Sequence, residues 1–180
     1  MKKRIMAINA NDFGGGKRHL MGHRYFNNRD RRYHTDWKYW AKLNKTETFN
    51  RFKEYIIEKK PDILIIEEML ISEYEKIDFI GELAEIGYFY LAECLPETGN
   101  YSLTMTFYKE GNLEYVNSPG NYRGNRSAIC KDGDVIICGS HFPCESDEAF
   151  LGHMSDFVIA HLREDLLLIG DLNANVSPHS

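Results

Sequence analysis

Three short apolar segments, each followed closely by acidic or amide side chains, constrain the fold of this 180-residue chain more than any other feature. They are residues 5–8, followed by Asn9 and Asn11; residues 63–66, followed by Glu67 and Glu68; and residues 166–169, followed after a glycine by Asp171 and Asn173. Continuous apolar runs of this length are typical of buried strands. A fourth predicted strand, residues 135–139, leads into Ser140 and His141.

Polar side chains at the same end of several buried strands meet at one rim of a sheet, where sites for hard cations and phosphate chemistry are commonly built. A strand can also end at a polar residue simply because it reaches water there. Strand ends that together carry acids, amides and an imidazole favour a functional site over that simpler explanation.

Size and charge restrict the class of protein. A mass of 21.0 kDa is that of one ordinary domain, so we expect residues 1–180 to form a single domain. A net charge of −5 argues against attachment to nucleic acid through overall positive charge. The four cysteines lack zinc-type spacing, and the first residues resemble neither a signal peptide nor a membrane span. The sequence therefore predicts a cytoplasmic protein with reduced thiols and no membrane partner.

The rest of the pattern predicts helices separated by hairpin-linked strands. The predicted helices are residues 46–59, with Phe49, Phe52 and Ile56 inward; a helix from the capping residue Ser72 to about residue 87; and residues 146–162, with Ser146 as N-cap and Phe150, Met154, Phe157, Val158 and Leu162 inward. Short strands with turn residues between them fill residues 88–139. This mixture favours an α/β protein with stacked sheets covered by helices over a doubly wound parallel sheet.

Four strings at the strand ends form an ordered series: Ile5-Met-Ala-Ile-Asn9-Ala-Asn11, Pro61-Asp-Ile-Leu-Ile-Ile-Glu67-Glu68, Ser140-His141-Phe-Pro143 and Ile169-Gly-Asp171-Leu-Asn173-Ala174. In content and order they resemble the successive motifs of the endonuclease/exonuclease/phosphatase family, the DNase I-like metal-dependent phosphohydrolases. The resemblance extends over residues 4–174. It implies a four-layer αββα sandwich and Mg²⁺-dependent hydrolysis of a phosphate ester.

The same resemblance implies a role for each matching residue. It makes Glu68 the principal metal carboxylate with Asn9 and Asn11 as partners in the metal site, Asp171 the group that orients or deprotonates the attacking water, Asn173 a donor to the phosphoryl oxygens, and His141 a phosphate contact. These roles agree with the chemistry of Mg²⁺, which prefers one or two carboxylates together with waters and phosphate oxygens. The implied cofactor is Mg²⁺, with Mn²⁺ as the alternative.

One position departs from the family pattern, which usually has glutamine where this chain has Glu67. Neighbouring residues on a strand face opposite sides of the sheet. We therefore expect Glu67 to point away from the site that Glu68 serves.

The C-terminal residues depart further from the family pattern. Family members continue past the Gly-Asp-x-Asn motif through more strands to a terminal Ser-Asp-His, whereas this chain has Ser-Pro-His179 soon after Asn173. We do not equate His179 with the family histidine, and we expect a sandwich that is incomplete at its C-terminal end. Either an exposed sheet edge then favours self-association, or a compact variant uses His141 or another imidazole.

Positive side chains are concentrated in one segment, residues 17–34, which follows the first predicted strand. Such a segment is either a solvated loop or a contact for a phosphate backbone. We predict that Lys17 and Arg18 bind substrate phosphate. Arg126 is a further candidate, because the guanidinium fork matches phosphoryl oxygens.

Taken together, these features predict a metal-dependent phosphoesterase that hydrolyses a phosphodiester, with DNA or RNA as the favoured substrate. Two alternatives stay open. One is a truncated, catalytically impaired family member that acts as a binding module, and the other is a phosphatase for small molecules or lipid head groups.

Overall fold

The structure of the chain is a computed structural model and describes residues 2–10, 36–70, 78–91, 102–117, 126–143 and 147–173. In the first helix, side chains are described from Thr46 onward. The predicted site residues Asn11, Lys17 and Arg18 lie outside the described residues.

Within these ranges the chain alternates between helices and strands. The helices are α1 (Asp36–Lys59), α2 (Phe79–Glu85) and α3 (Glu148–Ala160). The strands are β1 (Ile5–Asn9), β2 (Ile63–Leu70), β3 (Phe89–Tyr90), β4 (Ser102–Tyr108), β5 (Glu114–Tyr115), β6 (Ser127–Asp132), β7 (Val135–Ser140) and β8 (Asp165–Ile169).

The strands form two four-stranded sheets. The first sheet has the order β1-β2-β4-β3 and the second has the order β5-β6-β7-β8. Strand β1 runs parallel to β2, and β7 runs parallel to β8, whereas the other neighbours are antiparallel. The carboxyl ends of the two strands in each parallel pair therefore lie at the same edge of their sheet.

Three apolar layers hold the sheets and helices together. Helices α1 and α2 pack on the outer face of the first sheet through Phe49, Phe52, Ile56, Phe79 and Leu83. Helix α3 packs on the outer face of the second sheet through Phe150, Met154 and Phe157. The layer between the sheets contains Ile63, Ile65, Leu91, Cys130 and Ile137. The predicted four-layer αββα arrangement is confirmed.

Alternation along β2 explains how one strand supplies two of these layers. Ile63 and Ile65 are buried between the sheets, and Leu64 and Ile66 are buried against the helices. A strand covered on both faces is apolar at every position, which is why residues 63–66 form a continuous apolar run.

Helix boundaries differ from the prediction at four places. Helix α1 begins at Asp36 and not near Thr46. Helix α2 begins at Phe79 and is capped by Asp78, whose side chain accepts the Gly81 N–H at 2.8 Å, so the prediction of a helix capped by Ser72 was wrong. Helix α3 is capped by Asp147, whose side chain accepts the Phe150 N–H at 3.1 Å, so the prediction of Ser146 as N-cap was wrong. The helix ends at Ala160, and Leu162, which was predicted to point inward, lies beyond it and is 71% exposed.

A glycine lets the two sheets approach each other closely next to β8. A Cβ at Gly139 of β7 would lie 2.5 Å from the Cγ2 atom of Ile65 in β2, a distance that packed atoms do not tolerate. The absence of a side chain therefore allows Ile65 to pack directly on the backbone of the facing sheet.

Strand β8 forms one edge of the second sheet, and Leu167 and Leu168 on it are 37% and 36% exposed. An apolar edge strand favours pairing with another chain, so self-association through this edge stays a prediction. None of the helices in the described ranges is long and apolar enough to cross a membrane.

Candidate active site

The polar residues predicted from the strand ends come together at one rim of the sandwich. They form a group of side chains in close contact, here called the strand-end cluster, that consists of Asn9, Glu67, Glu68, His141, Asp171 and Asn173. The strand registers place them there, because Asn9 lies opposite Glu67 in the first sheet and Gly139 lies opposite Ile169 in the second. Side chains from both sheets thus face one another across the rim.

An irregularity in β2 brings two neighbouring acids into this cluster. The pairing of β2 with β4 shifts register between Ile66 and Met69, and Glu68 has a φ of +52°. Simple alternation puts Glu67 on the same face as Ile65, toward the second sheet, and the irregularity turns Glu68 back toward the rim as well. The prediction that Glu67 points away from the site was wrong for this reason.

The carboxylate of Asp171 is held by donors on both of its oxygens. Asn9 Nδ2 donates to Oδ2 at 3.0 Å, and the backbone N–H of Asn173 donates to Oδ1 at 3.0 Å. These donors, the Asn173 N–H first and the Asn9 amide second, lower the pKa of Asp171 below its ordinary value. Asp171 is therefore a carboxylate, and hence a proton acceptor, throughout the neutral range.

Glu67 accepts a hydrogen bond from the backbone of Asp171. Its side chain is buried, with 1% of its surface exposed, and its two oxygens accept the backbone N–H of Asp171 at 2.9 and 3.1 Å. Burial is the main cause that raises the pKa of Glu67 to about 7, helped by the charges of Asp171 and Glu68 and opposed by the Asp171 N–H. The cluster thus holds three carboxyl groups, an arrangement that a cation stabilises.

His141 connects Glu68 to Arg126. Its Nε2 atom lies 3.0 Å from Glu68 Oε1, and its Nδ1 atom lies 3.3 Å from Arg126 Nη1. Because a guanidinium only donates hydrogen bonds, Nδ1 accepts, and Nε2 carries the hydrogen that it donates to Glu68. Burial, the largest cause, lowers the pKa of His141. The Arg126 charge adds to this and the charges of Glu68 and Asp171 oppose it, and the net lowering leaves the imidazole neutral in this arrangement.

The side-chain amide of Asn173 lies next to His141. Its Nδ2 atom donates to the carbonyl oxygen of Phe142 at 2.6 Å. The same atom lies 3.1 Å from His141 Nε2, which is a close contact and not a hydrogen bond, because both nitrogens carry hydrogen. The residue has a φ of +44°, a left-handed conformation that asparagine adopts more readily than most residues. This local backbone geometry directs the Asn173 N–H back to Asp171.

Beneath the cluster lies a cleft of about 360 Å³ between the edge strands β1 and β8. Its lining consists of Ala7, Ile8, Asn9, Glu67, Ile169, Gly170 and Asp171. The cleft is apolar along the strands and polar at the rim. Of the two neighbouring acids in β2, Glu67 borders the cleft and Glu68 contacts His141.

Gly170 allows the backbone to pass between the two sheets at this point. Its φ is +144°, and a Cβ there would overlap both Glu67 Oε1 and the carbonyl oxygen of Ser140. Glycine alone fits this conformation and this space.

The predicted metal ligands supply the right kind of atoms for Mg²⁺. Glu68 offers carboxylate oxygens and Asn9 an amide oxygen, which are the hard ligands that Mg²⁺ takes alongside waters. Within the described ranges no group of three or more His, Cys, Asp or Glu side chains is arranged to hold a metal ion. This donor set fits an ion bound by few protein ligands and several waters, and does not fit a structural zinc site.

The fold therefore brings together most of the site residues that the sequence predicts. Asn11, Lys17 and Arg18 lie outside the described residues. Sequence reasoning missed the contributions of Glu67 and Gly170. Counting alternation from Ile63 places Glu67 between the sheets, so the signal for Glu67 was present in the sequence.

Comparisons with known proteins give the fold. No protein-family model and no curated protein matches the sequence. Three of the similar solved structures are an AP endonuclease from Archaeoglobus fulgidus (17% identity, 71% of this chain, TM-score 0.54), the 3′ phosphatase NExo from Neisseria bound to a product DNA hairpin (13%, 72%, 0.55) and ANGEL2, a 2′,3′-cyclic phosphatase (14%, 99%, 0.58). This chain spans 54% of the length of each of them.

These neighbours are DNase I-like proteins of the endonuclease/exonuclease/phosphatase class. The chain accordingly has the DNase I-like fold, over about half the length of the structures it matches.

Proposed function

We propose that this chain is a metal-dependent phosphoesterase that hydrolyses a phosphodiester, with nucleic acid as the substrate class. The observation that carries the proposal is the strand-end cluster, in which Asp171 is held ionised by Asn9 and Asn173 within the network that also contains Glu68. A proton acceptor for water, placed near a carboxylate that can bind a hard cation, supplies the two groups that such hydrolysis requires.

The structural neighbours support this class of chemistry. One of them is named an endonuclease, two are named phosphatases, and one of the phosphatases was solved with a product DNA hairpin. Because these likenesses concern the fold and about half of each neighbour, the activity and the substrate are proposals for this chain.

Asp171 is the proposed acceptor of the proton from the attacking water. A carboxylate whose oxygens already accept two hydrogen bonds keeps a fixed orientation, and its lowered pKa keeps it ionised. As the water oxygen attacks phosphorus, Asp171 takes one water proton, and the bond to the leaving oxygen breaks.

Glu68 is the proposed principal ligand of the cation, with Asn9 beside it. A bound Mg²⁺ or Mn²⁺ ion would offset the negative charge that grows on the phosphoryl oxygens. His141 donates Nε2–H to Glu68 and thereby directs its carboxylate. Arg126, which contacts the other ring nitrogen, is the proposed guanidinium for a substrate phosphate.

Removal of divalent ions is expected to abolish hydrolysis. With EDTA, cleavage of bis-p-nitrophenyl phosphate should fall to the buffer rate, and added Mg²⁺ or Mn²⁺ should restore it. Glu68→Gln, which loses the ligand charge, should raise the Mg²⁺ concentration for half-maximal rate by about tenfold or more. Glu114→Gln on the exposed end of β5 is the matched control and should leave that concentration unchanged. Hydrolysis that persists in EDTA would contradict a metal-dependent reaction.

The choice between polymer and small-ester substrates depends on the basic residues outside the described ranges. Lys17→Ala with Arg18→Ala is expected to slow cleavage of single-stranded and plasmid DNA about tenfold at 0.1 M salt, because two phosphate contacts are lost. The rate with bis-p-nitrophenyl phosphate should stay within about twofold. Lys2→Ala with Lys59→Ala removes the same charge from exposed positions at the other end of the sheet and should spare both rates. An equal loss with both substrates would favour a small-ester phosphatase.

A further inference from the structure

We propose that Glu67 is a positioning residue that sets the orientation of the Asp171 carboxylate by binding the Asp171 backbone N–H. The inference rests on the proposed function, because it concerns the same reaction. It assigns a role to an acid that lies outside the predicted ligand set.

The contact is a direct link between the two sheets. Glu67 is in β2 of the first sheet, and Asp171 follows β8 of the second, 104 residues later. Both oxygens of Glu67 lie within 3.1 Å of the Asp171 nitrogen, and the side chain is 1% exposed. An acceptor oxygen shielded from water in this way makes a stronger hydrogen bond with an N–H group than a solvated one does.

The backbone around the contact has little freedom. Gly170 lies against Glu67 Oε1 and the carbonyl oxygen of Ser140, with no room for a Cβ. The carbonyl of Asp171 accepts the N–H of Phe142 at 2.8 Å. With its N–H on Glu67 and its carbonyl on Phe142, the peptide unit on each side of Asp171 is fixed.

Fixing both peptide units determines where the Asp171 side chain leaves the backbone. From that position its oxygens meet the donors on Asn9 and Asn173, each at 3.0 Å. Loss of the Glu67 contact would free the Asp171 N–H and allow the carboxylate to shift relative to these donors. A displacement of about 1 Å at a reacting group costs on the order of 100-fold in rate.

Substitutions at Glu67 separate acceptor chemistry from size. Glu67→Gln keeps the shape and one oxygen acceptor for the Asp171 N–H, whereas Glu67→Leu keeps a similar volume and has no acceptor. Ser127→Ala is the matched control, because it removes another buried hydrogen bond, to Ser140 Oγ at 2.8 Å, that does not involve Asp171.

The experiment measures kcat and KM with bis-p-nitrophenyl phosphate at saturating Mg²⁺, and hydrogen exchange of the Asp171 amide by NMR, at a temperature where each variant is folded. Glu67→Leu should lower kcat about 100-fold with KM within about threefold, and should speed exchange of the Asp171 amide at least about tenfold. Glu67→Gln should keep kcat within about fivefold and exchange within about threefold. Ser127→Ala should change neither quantity by more than about threefold.

Each outcome supports or overturns a defined part of the inference. If Glu67→Leu keeps wild-type kcat, or if Glu67→Gln and Glu67→Leu lose activity equally, the positioning role is wrong. Faster exchange throughout β2 and β4 in Glu67→Leu would assign Glu67 to general stability and also overturn it. A folded wild-type protein that hydrolyses nothing would overturn the proposed function, whatever the exchange of the Asp171 amide shows.

Discussion

Replacing Asp171 by asparagine is expected to lower kcat for phosphodiester hydrolysis about 1,000-fold while the protein stays folded. The substitution keeps the size of the side chain and removes its ability to accept a proton, and a positioned general base contributes about 10²–10⁴-fold to rate. The change also disturbs the local hydrogen bonds. Two donors, from Asn9 and Asn173, meet the two Asp171 oxygens, and an amide offers only one oxygen to them. We expect a cost of about 1 kcal/mol in the free energy of unfolding.

Kinetics and denaturant unfolding on the same preparation separate the two effects. The rate should fall far more than a loss of about 1 kcal/mol in stability explains, because the variant stays folded at the assay temperature. Asp165→Asn, at the start of β8 and far from the rim, is the control and should keep the wild-type rate. Turnover by Asp171→Asn equal to that of the wild type would refute the assignment of Asp171 as the proton acceptor.

The pH dependence provides a second check on the same residue. The donors from Asn173 and Asn9 lower the pKa of Asp171, so the deprotonated, active form persists below the ordinary range of aspartate. Protonation of Asp171 should therefore cause no loss of activity as pH falls toward 5. Any loss of rate between pH 8 and 5 that is absent from Glu67→Gln would come from Glu67, whose pKa is about 7.

The layers of this fold could be predicted because burial in each layer imposes a recognisable pattern of apolar residues along the sequence. Phe49, Phe52 and Ile56 repeat at helical spacing and are all buried on α1, and the continuous apolar run of β2 reflects burial on both faces. The strand ends were predictable for a related reason. An apolar run has to stop where the strand leaves the core, and the residue types at that point were acids and amides.

The parts that sequence reasoning missed depend on geometry that has no period. Residues 36–45 mix aromatic and charged residues without a clear apolar face, and the continuous absence of glycine and proline from residue 36 to residue 60 was the signal that α1 starts earlier. The left-handed backbone at Glu68 has no signature in its residue type, yet it decides how the two acids of β2 are directed. Asp147 and Ser146 are both good N-caps, and only the position of the first turn chooses between them.

Replacing Gly170 by alanine is expected to destabilise the protein by about 3 kcal/mol and to abolish hydrolysis. Alanine at a φ of +144° is strained, which costs on the order of 1–3 kcal/mol. The added methyl group would also overlap Glu67 Oε1 and the Ser140 carbonyl oxygen, and overpacking of this kind costs about 1–3 kcal/mol. Relief of the overlap requires the backbone before Asp171 to move, so the proposed proton acceptor leaves its donors as the protein loses stability.

A second glycine in the chain provides a control, because its replacement by alanine should raise the free energy of unfolding where Gly170→Ala lowers it. Gly152 is in the interior of α3, and a Cβ there would contact nothing within 4 Å. Gly152→Ala should raise the free energy of unfolding by about 0.5–1 kcal/mol, because alanine favours the helix, and should leave the rate unchanged. Urea unfolding of the two variants should therefore move the midpoint in opposite directions. If Gly170→Ala unfolds within about 0.5 kcal/mol of the wild type, the tight approach of the two sheets beneath Asp171 is wrong, and the support that Glu67 gives to Asp171 is wrong with it.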